Sequence, residues 1–159
     1  MFLEILSGFL ISVYIVSNNI SPLIYCQPNF FNSISRTFLH ANLAHLTGNV
    51  VSLQQIGSIL ILSYGNTLFA KVTILITVLE IFTDYFLTRY FQINCSIGYS
   101  GVIFGLLTYL LITTRVPLNQ LGIILAFQLL PGFLSPGISN FGHMLGILNG
   151  VIASYLLPV

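Results

Sequence analysis

The chain has 159 residues, of which 56% are hydrophobic and only 4% charged, and its formal net charge is +1. A soluble domain carries about 25% charged residues, so there is too little charge here to cover a water-facing surface, and the mean hydropathy of +0.99 agrees. The composition points to a multi-spanning membrane protein embedded in a lipid bilayer, and the absence of a basic patch gives no sign of a nucleic-acid partner.

A spanning helix needs about 20 residues. Apolar runs and breakers divide the sequence into six such helices, which leaves short loops and no room for a second domain. The expectation is an all-α, compact bundle of six transmembrane helices forming a single domain over residues 1–159. The opening run "MFLEILSGFLISVYIV" lacks a basic leader and an Ala-x-Ala-like cleavage site, so it reads as a retained first helix over about 2–18. A loop with two prolines, "NISPLIYCQPNFFNSISR", follows. Helix 2 is expected over about 42–63 and helix 3 over about 67–88. The loop "TRYFQINCSIG" leads to helix 4 at about 99–114. Arg115 and Pro117 mark a tight turn, and helix 5 runs over about 118–133 until "PGFLSPGISN" breaks it. Helix 6 covers about 141–157. Trp is absent, so an aromatic belt must use the 8 Tyr and 13 Phe. With a cytoplasmic N-terminus, Lys71 and Arg115 lie inside and Arg36 and Arg89 outside, a tie that leaves orientation undecided.

Parity is more informative than charge. His40 and His45 lie at the start of helix 2, Ser100 starts helix 4 and His143 starts helix 6. Even-numbered helices begin on one side of the bilayer, so three segments bring these side chains to one face at a shallow depth. Polar groups inside a membrane are expensive and point to function. Serine is a weak nucleophile until a base takes its proton, and histidine is the usual base. Ser100 and His143 form the natural pair. Gly142, Gly146 and Gly150 recur at four-residue spacing in "GHMLGILNG", and Gly101 and Gly105 repeat that spacing in helix 4. Such stripes let two backbones approach closely. Acyl transfer also needs donors for a developing oxyanion. His45 and Asn49 share a helical face, and the Ser100 backbone N–H at a helix N-terminus is a further candidate.

"HANLAHLTGN" in helix 2, "GYSG" opening helix 4 and "GHMLGILNG" in helix 6 together resemble the rhomboid intramembrane serine proteases. The resemblance covers about residues 36–157, in order and spacing. It implies a rhomboid-like bundle in which Ser100 is the nucleophile and His143 the general base, with no acidic third member. His45, Asn49 and the Ser100 N–H would form the oxyanion hole, with His40 supporting the site. Gly98, Gly101, Gly142, Gly146 and Gly150 would be supporting positions. The expected substrates are transmembrane protein segments, cut near the extracytoplasmic face, with no cofactor and no metal. The sequence departs from the family's pattern in three places. Ser35-Arg36 stands closer to the helix 2 histidines than the family's Trp-Arg pair, so no role is carried onto Arg36. Phe104 stands where Tyr often stacks on the histidine. Gln54 and Gln55 lie near the place of an acidic residue late in helix 2.

Each feature also has a plainer reading. Ser100 and His143 can be packing residues, and His45 and Asn49 can cap or brace the first loop. A rhomboid-like protein without catalysis, binding client helices, is the alternative for the whole chain. Three histidines can hold zinc, but His40 and His45 are five apart rather than at the helical spacing of a zinc-protease motif. Glu80 and Asp84, four apart in helix 3, can mark an ion path in a transporter or be partnered locally. Cys26 and Cys95 fall in loops on the Ser–His face and can bridge in an oxidising compartment or remain thiols. Asn19 and Asn94 match glycosylation acceptors on that face. The segment "LPGFLSPGIS", or helix 5, is the expected gate for substrate.

Overall fold

A computed structural model describes the chain apart from residues 18, 21–24, 92–95 and 135–139, and apart from the side chains of residues 131–134. The described residues form six α-helices and no strand: α1 (Phe2–Ser17), α2 (Phe30–Phe38), α3 (Leu43–Phe91), α4 (Ser100–Thr113), α5 (Leu118–Leu134) and α6 (Asn140–Leu156).

The helices are divided differently from the sequence expectation. The first loop contains α2, in "FFNSISRTF". Its start is fixed by Asn29, whose side chain accepts the Asn32 N–H at 2.8 Å, answering one of the donors a helix N-terminus leaves unpaired. The expected helices 2 and 3 are joined without a loop in α3. Gly65 interrupts the helical backbone with φ 84° and ψ 163°, a left-handed φ that glycine adopts without steric cost. Position 57 and Phe69 would stand about 18 Å apart in a straight helix. Yet a Cβ at Gly57 would lie 3.1 Å from the Phe69 ring and 2.8 Å from Leu3. The chain therefore folds back at Gly65, making α3 a helical hairpin.

Leu43–Phe91 is the one helix among the described residues long and apolar enough to cross a membrane; Phe2–Ser17, Ser100–Thr113 and Leu118–Leu130 are shorter apolar helices. Each arm of the α3 hairpin, 43–64 and 66–91, exceeds the roughly 20 residues that a bilayer requires.

Helix α4 runs through the interior. Val102, Leu106 and Tyr109 are fully buried and pack into one cluster with Leu10, Leu53, Leu60 and Ile76. Against α6 there is almost no side-chain layer. A Cβ at Gly146 would collide with the Gly101 carbonyl, and one at Gly150 with the Gly105 carbonyl. Tyr109 fastens the far end by donating its hydroxyl to the Leu157 carbonyl at 2.7 Å. Large apolar side chains such as Leu62, Phe127 and Tyr155 face outward, a surface suited to lipid rather than water.

Candidate active site

The approach to Ser100 is built from three consecutive residues. Gly98 has φ 118°, and its N–H donates to the Arg36 carbonyl at 2.9 Å. Tyr99 is buried, donates or accepts a 2.8 Å hydrogen bond with the Thr77 hydroxyl, and stacks on Phe38 with ring centroids 5.7 Å apart. Ser100 is then the first residue of α4, whose N-terminus has no side-chain cap. Its first-turn N–H groups are therefore available to an incoming acceptor.

His143 lies in the first turn of α6 and is 8% exposed. Its Nε2 is 3.1 Å from Ser100 Oγ. The glycine contacts between α4 and α6 bring the two together, since the helices meet backbone to backbone. Phe104, one turn beyond Ser100, stacks on the imidazole at 4.2 Å between centroids and 12° between planes. His143 Nδ1 has no hydrogen-bond partner among the described residues. In the tautomer with a proton on Nδ1, Nε2 is free to accept the Ser100 hydroxyl proton.

Asn42 caps α3 by accepting the His45 N–H at 2.9 Å. That cap fixes His45 in the first turn and Asn49 one turn on. Both lean on Gly98. A Cβ there would come within 2.6 Å of His45 Cε1, 2.8 Å of His45 Nε2 and 3.4 Å of Asn49 Nδ2. Only glycine leaves room for that pair so close to Ser100. Asn49 is buried, and its Nδ2 has no acceptor among the described residues. A buried, unanswered donor costs about 1–3 kcal/mol, and this one lies against Gly98, two residues before Ser100.

His40, just before α3, packs edge-on against His45 with ring centroids 5.2 Å apart. Its Nδ1 is 3.1 Å from the Phe38 carbonyl, which can only accept, so Nδ1 carries the proton. Burial, and after it the neighbouring His45, push the His40 pKa down to about 4.

The two acids of α3 are each engaged. Glu80 accepts from Asn149 Nδ2 at 2.7 Å. Asp84 is ion-paired with Arg36. Among the described residues no cluster of three or more His, Cys, Asp or Glu is arranged to hold a metal ion. The Cys26–Cys95 pairing, the Asn94 acceptor, the Ser21 of the Asn19 acceptor and most of the expected gating loop fall outside the described residues.

Arg36 is the residue that sequence reasoning passed over. A signal was available: it lies in the loop on the Ser–His face, and parity places Asp84 near the same face. A buried cation in so apolar a chain needs an acid.

Comparison with known proteins finds relatives over most of the chain. Residues 27–158 match the rhomboid domain family. The chain is also 32% identical, over an alignment covering 92% of its length and 90% of the relative's, to a protein of Acanthamoeba polyphaga mimivirus named "Putative rhomboid protein L523".

Proposed function

From the premise that this chain belongs to the rhomboid family of integral membrane proteins, we propose that it is a multi-pass intramembrane serine endopeptidase cutting transmembrane segments of other proteins. The observation that carries the reading is the 3.1 Å contact between Ser100 Oγ and His143 Nε2, on two helices that touch through glycine.

In this reading Ser100 Oγ attacks the scissile carbonyl carbon as its proton passes to His143 Nε2. The carbonyl oxygen gains charge, which the Ser100 N–H, Asn49 Nδ2 and the His45 imidazole stabilise. Collapse of the tetrahedral intermediate expels the amine, which takes the proton from His143, and leaves an acyl-enzyme on Ser100. Water, deprotonated by His143, attacks the ester and regenerates the hydroxyl. Phe104 holds the imidazole plane through the change of charge. No carboxylate is assigned to His143; its orientation comes from the ring stack and from α6.

The test is cleavage of helix-destabilised transmembrane substrates in proteoliposomes, with Ser100→Ala and His143→Ala beside the parent and a fluorophosphonate probe run in parallel. Cleavage and labelling that vanish with Ser100→Ala are the expected result. Folded parent protein that neither cleaves nor takes the probe would sink the protease reading and favour a rhomboid-like protein that binds client helices without catalysis.

A further inference from the structure

Arg36 is 1% exposed, and desolvating a guanidinium so fully is expensive unless acceptors surround it. Both terminal nitrogens have acceptors, while Nε has none among the described residues. Nη1 donates to the Tyr25 carbonyl at 2.8 Å and reaches the Gln27 carbonyl at 3.4 Å. Nη2 donates to Ser33 Oγ at 2.9 Å and pairs with Asp84. One planar fork thus joins the chain before α2, α2 itself and the C-terminal arm of α3, which a lysine's single ammonium cannot do. The same residue's carbonyl takes the Gly98 N–H at 2.9 Å. Gly98 is the surface on which His45 and Asn49 rest, two residues before Ser100.

We propose that Arg36 is a positioning residue for the oxyanion side of the Ser100 site. Its guanidinium fixes the end of α2, and its carbonyl then sets the Gly98 turn, hence the spacing of His45 and Asn49 from the Ser100 N–H. The inference rests on the protease reading above. It concerns transition-state geometry, so its mark is a change in kcat rather than in substrate binding: a displacement of about 1 Å at such donors costs up to about 100-fold in rate.

The experiment compares Arg36→Gln, Arg36→Lys and Asp84→Asn with the parent in proteoliposomes. It reads kcat and KM per folded molecule, the fluorophosphonate labelling rate, and amide hydrogen exchange over residues 96–100. Arg36→Gln is expected to lower kcat and labelling by about 10- to 100-fold with KM nearly constant, and to speed exchange over 96–100. Arg36→Lys, which keeps only the Asp84 pair, should recover part of the loss. If Arg36→Gln does not fold, Asp84→Asn decides, because it leaves Arg36 in place and weakens its anchor; a several-fold loss of kcat with faster exchange is expected. Unchanged kcat per folded molecule, or a loss confined to KM, overturns the proposal. A parent that neither cleaves nor labels defeats the protease reading instead. Exchange over 96–100 in the variants then still reports whether Arg36 holds the Gly98 turn, and unchanged exchange overturns that part.

Discussion

Asn149 Nδ2 donates to Glu80 Oε2 at 2.7 Å and to Thr83 Oγ1 at 3.2 Å, tying α6 to the second arm of α3 in the interior. The Glu80 carboxyl in turn lies against Gly101, where a Cβ would strike it. One polar link therefore braces the helix of His143 and the helix of Ser100 from the same side. Asn149→Leu leaves Glu80 without this donor and should destabilise the fold by about 1–3 kcal/mol. Glu80→Gln keeps an acceptor for Asn149 and should cost less than about 1 kcal/mol. Unfolding in mixed micelles checks both, and equal losses would show that the hydrogen bond is not what holds the pair.

The glycine contacts predict an asymmetry between positions of identical chemistry. Gly146→Ala forces a methyl into the Gly101 carbonyl and should lower stability by about 1–3 kcal/mol, with activity falling further than stability because α4 and α6 separate at the Ser–His end. Nothing lies within 4 Å of a Cβ at Gly8 or Gly122. Gly8→Ala and Gly122→Ala remove backbone freedom at open helical positions and should stabilise by about 0.5–1 kcal/mol. Thermal unfolding of the three variants, together with cleavage rates, tests the contrast.

Asn49 separates catalysis from folding. Its Nδ2 has no acceptor among the described residues, so Asn49→Ala discards no hydrogen bond of that amide nitrogen in the resting protein. Stability should stay within about 1 kcal/mol of the parent. As a donor to the oxyanion, the same amide is worth about 100- to 1,000-fold in kcat. A kcat loss no larger than the loss of folded protein would remove Asn49 from the oxyanion hole.

The Phe104–His143 stack predicts a smaller effect. A ring pair of this kind contributes about 0.5–1.5 kcal/mol, so Phe104→Leu should slow cleavage by up to about 10-fold at nearly constant KM. Phe104→Tyr keeps the ring and should approach the parent rate. Steady-state kinetics of both variants decide whether the ring plane matters.

His40 predicts a pH dependence of stability. Its pKa in the folded protein is about 4, below its usual 6.5, so between those values the unfolded chain binds more protons than the folded one. The contribution of neutral His40 is fully present above about pH 6.5 and declines as pH falls toward about 4. His40→Asn should flatten that slope in denaturation midpoints measured from pH 7 to pH 4. An unchanged slope would assign the acid sensitivity elsewhere.

Much of the arrangement was legible because it rests on periodicity and parity. Apolar runs mark the long helices, and alternate-helix starts put Ser100, His143 and His45 on one face. The glycine spacing in "GHMLGILNG" named the two helices that touch. What escaped was set by local hydrogen bonds rather than pattern. α2 is short, and its inward side is Ser33, Arg36 and Thr37, so a search for long apolar runs passes over it although its polar and apolar residues alternate at helical spacing; the Asn29 cap and the Arg36–Asp84 pair make it worth forming. The break near residue 65 falls where the sequence separates helices 2 and 3, but the reversal there takes a single glycine of left-handed φ rather than a longer loop. That the Asn49 amide nitrogen has no acceptor among the described residues depends on every neighbour at once, which no one-dimensional pattern records.

The contact between α4 and α6 has a consequence for variation. Two main chains in contact have no rotamer through which their separation can drift, so the gap between Ser100 and His143 is inherited from peptide geometry. Residues on the outer shell, such as Leu62 and Tyr155, can change as the surrounding lipid changes without retuning that gap. The opposite holds for Gly101, Gly105, Gly146 and Gly150, where even one added carbon presses on the backbone of the facing helix. Mutational tolerance in this chain should therefore follow distance from the seam between two helices rather than depth in the core.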